Sequence, residues 1–234
     1  MNKPFYVTTP IYYVNEVPHL GNAYCTIAAD VLARYERLVG RDVFFLTGTD
    51  EHGEKAQEAA EKKGKDTQAY TDEMAATFQS TWKKLDITFD DFIRTTQERH
   101  TKLSRYLVKR ALDNGSIYLG QYEGWYCVSD ESFWTETQLV SGKCPDCGRD
   151  VKKIKEDNYF FKLSEFAPKL IAHIKSNPDF ILPESKRNEV LSFLEKEEVR
   201  DISASRTSFT WGIPFPTDAP SKHVIYVWFD GMIS

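Results

Sequence analysis

At 234 residues and 41% hydrophobic content, the chain is long enough to bury a core of its own and too apolar to be disordered throughout. A net charge of −5 excludes wrapping nucleic acid by bulk charge, and no apolar run reaches the ~20 residues that span a membrane. The opening Met1-Asn2-Lys3-Pro4 leads straight into strand-like residues with no apolar leader core, so the sequence reads as cytoplasmic, with its four cysteines reduced.

Residues 5–9, FYVTT, are β-branched and aromatic and are closed by Pro10, which predicts a first strand. Tyr24, Ile27, Ala28, Val31, Tyr35 and Leu38 recur at steps of three or four, predicting a helix packed along that stripe and stopped at Gly40. VFFLT at 43–47 is the continuous apolar run of a strand covered on both faces. Strand, helix and strand within about forty residues make a βαβ unit, hence a doubly wound parallel sheet. Tyr70, Met74, Phe78, Trp82 and Leu85 form a second helical stripe. DFIRTT (91–96) predicts a third strand, and Leu103, Leu107 and Ala111 a further helix, stopped by Asn114-Gly115. From Ser116 to Lys155 the texture changes to short strand-like pieces, glycines and three cysteines. Two helical segments and the loop TWGIPFPTDAPSK follow, and HVIYVWF (223–229) reads as another buried strand. These patterns predict residues 1–115 as the first half of an α/β domain, 116–222 as an insertion, and 223–234 as the start of the second half, with the chain ending early.

In open α/β sheets, ligands bind beyond the carboxyl ends of the strands. Two such ends carry PIYYVNEVPHLGN and GTDEHGE. Neither holds Gly-x-Gly-x-x-Gly, and Glu54 stands where a phosphate-binding loop needs lysine, so the dinucleotide and P-loop readings are rejected. The helix start instead offers free N–H groups, a positive dipole end, the His19 imidazole, and Gly21 with no Cβ to block a ligand; together these make an anion site. Asp50, ending a buried strand, suits a cation such as an amino group. The pair fits a nucleotide phosphate beside an amino acid. Read from the residues alone, a plain helix cap at His19 and an ordinary turn at Asp50 remain the alternative.

Cys127-x-x-Asp130 and Cys144-x-x-Cys147 have the spacing of a zinc knuckle near residues 124–155, with Asp130 where a fourth cysteine is expected. Lys143, Arg149, Lys152, Lys153 and Lys155 beside it are either solvated surface or a contact for the end of a nucleic acid. Cys25, on the first helix, reads as core.

PHLGN resembles the His-Ile-Gly-His signature of the class I aminoacyl-tRNA synthetases. FYVTTPIYYVN, FFLTGTDEHG, DDFIRTT, YFFKLSEF, RNEVLSF and HVIYVWFD resemble the methionyl branch of that family, in order and across essentially the whole chain. The resemblance implies a split Rossmann domain, its doubly wound parallel sheet interrupted by a connective insertion that carries the zinc knuckle. It implies ATP-dependent activation of methionine to methionyl-adenylate and transfer to tRNA(Met) for translation. The partners are then methionine, ATP with Mg2+ and tRNA(Met), with Zn2+ in the knuckle. On this resemblance His19, Gly21 and Asn22 bind the ATP phosphates, with His19 and Asn22 acting catalytically. Asn22 replaces the family's second histidine; it donates a hydrogen bond but carries no charge. Asp50 holds the methionine ammonium, and Ile11, Tyr13 and Trp228 wall its side chain, where sulfur–aromatic contacts contribute ~0.3–1.5 kcal/mol each. Gly231 stands where the family has alanine, which implies a slightly larger pocket, and Cys127, Asp130, Cys144 and Cys147 ligate the zinc. The family's lysine loop, which stabilises the pyrophosphate, is not among these residues, so the chain alone is expected to be an N-terminal portion making no adenylate at a useful rate. Two rivals remain. One is a module that binds methionine or the acceptor end without reaction. The other is a synthetase for another apolar amino acid, disfavoured by Tyr13 and Trp228.

Overall fold

The computed structural model describes residues 3–196, 199–217 and 221–234. Its first half is organised by β3 (Val43–Asp50); the apolar start, expected to be covered on both faces, buries Phe45 on one face and leaves Phe44 exposed beside Tyr6 on the other, and full burial begins at Thr47. β1 (Phe5–Thr8) runs parallel to the first half of β3, with Phe5 opposite Val43 and Thr8 opposite Leu46, and β2 (Tyr12–Tyr13) pairs with its end. β4 (Asp91–Arg94) pairs along the other edge, Thr49 lying between Tyr12 and Arg94. All pairs are parallel; β1 runs on into β2 across three residues, while the connections from β2 to β3 and from β3 to β4 must cross over. α1 (Leu20–Leu38) makes the first crossover; α2 (Glu54–Lys62) and α3 (Thr67–Lys84) make the second. α4 (Glu98–Asp113) follows β4. This register puts Tyr13 opposite Asp50, and both at the carboxyl end of the sheet.

The expected α3 stripe is the packed one. Tyr70, Met74, Phe78 and Trp82 are buried, and Phe78 and Trp82 pack against Tyr12 and Phe92 of the sheet. Removing a ring as enclosed as Trp82 costs about 3–5 kcal/mol. Leu85, at the C-cap, is partly exposed.

Two other stripes face the opposite way from the expectation. In α1, Tyr24, Ile27, Val31, Tyr35 and Leu38 are exposed, while Thr26, Asp30 and Ala33 are buried. The cause is hydrogen bonding. Asp30 accepts from both the N–H and hydroxyl of Thr88 (2.7 and 2.6 Å) and from Arg34, and Thr26 Oγ1 lies 2.8 Å from the Tyr12 hydroxyl. In α4, His100, Ser104 and Val108 are buried, and Leu103 and Leu107 are partly exposed, because a buried carboxylate described below draws His100 inward. Cys25 on α1 is only half-buried.

The sheet pattern changes after α4. β5 (Ile117–Cys127), β6 (Ser132–Trp134), β7 (Lys152–Phe161) and β8 (Ile202–Ser203) form an antiparallel sheet in the order β6-β5-β7-β8. α5 (Leu163–Ser176) and α6 (Glu184–Lys196) lie between β7 and β8 in sequence and share a core of Ala167, Ile174 and Leu194. β9 (Ser205–Arg206) pairs antiparallel with β10 (Val224–Ile225). The expected strand over 223–229 is therefore only two residues long and lies outside the parallel sheet. Tyr226 turns the chain into α7 (Val227–Gly231), which places Trp228 on a short helix with half its surface exposed.

Candidate active site

The proline-histidine-glycine loop folds as a reciprocal cap. His19 is the N-cap of α1; its Nδ1 accepts from the Gly21 N–H at 3.0 Å, and Asn22 Oδ1 accepts from the His19 N–H at 3.1 Å. The capping alternative is thus satisfied, and it leaves both side chains with donors to spare. With Nδ1 accepting, the neutral ring carries its proton on Nε2, a donor. With Oδ1 accepting, Asn22 keeps its amide N–H groups for donation. A Cβ on Gly21 would come within 3.0 Å of His19 Cε1, so a larger residue would press on the imidazole. Two side-chain donors at an exposed helix start, in the field of the helix dipole, suit an anion.

At the end of β3 the arrangement is closed. Asp50 is buried and its Oδ1 has no hydrogen-bond partner. Burial first, then the charges of Asp230, Glu131 and Glu51, push its carboxyl well above the usual carboxylate range. A buried orphan acceptor among like charges is costly, and an ammonium supplies both the missing donors and the missing charge. Around it stand other residues expected of this pocket. A Cβ on Gly231 would lie 3.3 Å from Asp50 Oδ2 and 3.7 Å from Ile11 Cδ1, so Ile11, Asp50 and Gly231 converge. Tyr13 pairs with Asp50 in the sheet, and burial, Asp50 and Glu131 together raise its phenol, which stays neutral. Trp228 is not brought against Asp50: its indole N–H donates to the Glu131 carbonyl at 2.9 Å, and its side chain lines a cavity with Phe133, Tyr226 and Met232. β2 links the two ends: Tyr13 faces Asp50, while the Tyr12 hydroxyl reaches Asn22 O at 3.3 Å.

Several residues that sequence reasoning missed hold this floor in place. Glu51, fully buried, accepts two hydrogen bonds from Arg94 (2.7 and 2.9 Å) and one from Thr49 (2.6 Å). Asp230, beside Gly231, accepts from His52 Nδ1 at 2.6 Å and His100 Nε2 at 2.5 Å, tying the end of β3 and α4 to α7. Burial opposes its ionisation, but the two imidazoles outweigh burial and hold the carboxyl below its ordinary value. Glu131 lies in the turn between β5 and β6, and burial pushes its carboxyl up to about 7. Arg206, also buried, pairs with Glu156 at 2.7 Å and lies over the Tyr126 ring at 3.9 Å. Only the GTDEHG and FDG stretches carried a signal, as polar residues set into apolar runs.

The knuckle residues converge as their spacing predicts. The donor atoms of Cys127, Asp130, Cys144 and Cys147 all lie within 4.8 Å of one another. Cys127 Sγ is 3.6 Å from Cys147 Sγ, and Asp130 Oδ2 is 3.5 and 3.1 Å from the sulfurs of Cys127 and Cys144. A tetrahedral zinc with Zn–S of about 2.3 Å needs sulfur–sulfur edges of about 3.7 Å, so the set fits the ion. Without metal, burial pushes the Cys127 thiol up to about 12. The basic run is largely neutralised within the chain: Lys152 pairs with Glu54, Lys153 and Lys155 with Glu123, and Lys143 with Asp150, while Arg149 bonds Ser129.

A parallel sheet followed by an antiparallel sheet that carries a four-residue group able to hold a metal fits the class I aminoacyl-tRNA synthetases. A family model described as "tRNA synthetases class I (M)" matches residues 5–155 and 150–234, and the chain belongs to that family. Its relatives are methionine–tRNA ligases. The chain is 55% identical to that of Clostridium acetobutylicum over 98% of its own length and 35% of the relative's. It is similar to the Mycobacterium tuberculosis methionyl-tRNA synthetase in complex with methionyl-adenylate, at 47% identity and a TM-score of 0.94, covering 99% of this chain and 46% of that one. Against the free form of the same enzyme the TM-score is 0.80 at 45% identity, covering 99% and 44%. The chain spans about a third of the length of the curated relatives it matches.

Proposed function

We propose that this protein activates methionine with ATP, supplied with Mg2+, to methionyl-adenylate and passes the methionine to tRNA(Met) in the cytoplasm. The buried, unpartnered Asp50 carboxylate carries this reading, because an amino-acid ammonium is the group that completes it. Asp50 anchors the ammonium, and Ile11, Tyr13, Trp228 and Gly231 surround the thioether. The methionine carboxylate then attacks the α-phosphorus in line. The α-phosphorus–oxygen bond to pyrophosphate breaks, and pyrophosphate leaves. His19 Nε2, Asn22 and the N–H groups at the start of α1 donate to phosphate oxygens as their charge grows, so catalysis rests on positioning and charge stabilisation. Zn2+, held by Cys127, Asp130, Cys144 and Cys147, supplies a structural cross-link and takes no part in the chemistry. Residues 1–115 and 223–234 read as the two parts of the catalytic domain, and 116–222 as the connective insertion. Among the described residues no helix is long and apolar enough to cross a membrane.

Exchange of labelled pyrophosphate into ATP tests the reading in the full-length protein. Methionine should support exchange, and leucine and isoleucine should not. Exchange driven best by leucine would overturn the assignment.

A further inference from the structure

One residue outside the expected site meets two of its residues, Tyr13 and Trp228. Glu131 is 1% exposed and sits in the left-handed region, with φ of 49°, where non-glycine residues are uncommon and strained. Its carbonyl oxygen accepts from two side chains, the Tyr226 hydroxyl and the Trp228 indole at 2.9 Å. Its Oε1 accepts from the Lys55 N–H at 3.2 Å, in the first turn of α2, just past the turn that leaves Asp50. That turn is shaped around the carboxylate: Gly53 has φ of 106°, and a Cβ there would sit 2.5 Å from Oε1. The phenol of Tyr13 faces the same carboxylate. The strain persists because both ends of the residue are held, as expected when surrounding structure over-determines a position.

We propose that Glu131 is a positioning residue of the amino-acid pocket: its carboxylate, locked against Gly53 and the start of α2, sets the backbone so that its carbonyl fixes the Trp228 indole. The proposal rests on the methionine reading above for the identity of the occupant. It does not depend on that reading for the contact itself. Trp228 is half exposed on a five-residue helix, so the bond to the Glu131 carbonyl weighs in its orientation, and an aromatic wall that swings loses its contact with a thioether.

Two readouts test this in the full-length protein: methionine affinity by calorimetry, and solvent exchange of the Trp228 indole N–H by NMR, assigned with Trp228→Phe. Glu131→Ala should weaken methionine by about tenfold, leave the KM for ATP unchanged and speed indole exchange, since ångström-scale misplacement of a pocket wall carries penalties of this order. Glu131→Gln, which keeps an acceptor for Lys55, should restore methionine affinity to within about twofold. In a Trp228→Ala background, Glu131→Ala should add nothing, because the effect passes through the indole. Additive losses, equal losses for ATP and methionine, or unchanged exchange would each overturn the proposal. If the unaltered protein binds no methionine, the functional reading fails; the indole exchange still decides, faster exchange supporting the positioning role and unchanged exchange refuting it. Should Glu131→Ala not fold, Glu131→Asp shortens the reach by one methylene and carries the same readouts.

Discussion

At the start of α1, the polar groups of His19, Gly21 and Asn22 answer one another and face outward; at the end of β3, Asp50 is closed off among Glu51, Glu131 and Asp230 with an oxygen left unanswered. Both ends belong to one sheet edge, and Tyr12 and Tyr13 of the two-residue β2 join them. The difference fits the ligands proposed for them. A phosphate chain is large, charged and partly wet, so it is met by exposed donors that are already oriented. A small ammonium is met by one buried carboxylate whose cost is offset only when the ligand arrives.

The largest expected effect breaks the closed end. Asp50→Asn should cost methionine binding about 2–5 kcal/mol, because one partner of a buried charge pair is lost. The same change should raise the melting temperature of the ligand-free protein, since it removes an unpaired buried carboxyl. Calorimetric titration and a thermal melt measure the two. Loss of both binding and stability would show that Asp50 is structural.

Breaking the open end separates rate from binding. His19→Ala should slow adenylate formation by about a hundredfold, the usual value of one transition-state donor, while methionine affinity stays near its original value. Equal losses in both would contradict the division of labour between the two ends.

The two ends were not equally legible in the sequence. His19, Gly21 and Asp50 were visible as strand-end and helix-start positions, and it was the family resemblance of PHLGN and FFLTGTDEHG that set them apart from a plain cap and turn. The packed stripe of α3 was legible because its apolar period and its buried face coincide. In α1 and α4 they do not coincide: Asp30 and His100 are drawn inward by Thr88 and Asp230, partners 58 and 130 residues away, so no local period reveals them. HVIYVWF has strand composition, but the Tyr226 carbonyl accepts from the Phe229 and Asp230 N–H groups as the cap of α7, which turns the chain into a helix after two strand residues. Glu131 was invisible for a similar reason. In sequence it is one more polar residue of a turn, and only the fold brings it to Gly53 and Trp228.

Metal removal probes the comparison from outside. Zinc should be found at one equivalent per chain in protein purified without added metal. Chelation should lower the melting temperature by several degrees, at roughly 2–4 °C per kcal/mol for a chain of this size, with the knuckle as the first segment to lose protection from hydrogen exchange. Protein free of zinc and unchanged by chelator would remove the metal from the account.

The smallest effect is a pH dependence with a definite sign. An acid whose folded pKa is raised keeps its proton where the unfolded chain has lost it, so Asp50 costs progressively more stability as pH rises from about 3.9 towards its folded value. The melting-temperature gap between Asp50→Asn and the unaltered protein should therefore widen with rising pH over that window. Asp230 works oppositely: its lowered pKa gives stability above the unfolded value, lost as pH falls through the folded one.

The central claim is that the closed end exists to hold an amino-acid ammonium. Titrating the protein with L-methionine and with the same molecule lacking its amino group tests it most directly. Methionine should bind with proton release at pH values below the Asp50 pKa, as the carboxyl ionises to meet the ammonium, and the deaminated analogue should bind far more weakly. Equal affinity for the two ligands, with no proton released, would contradict the account.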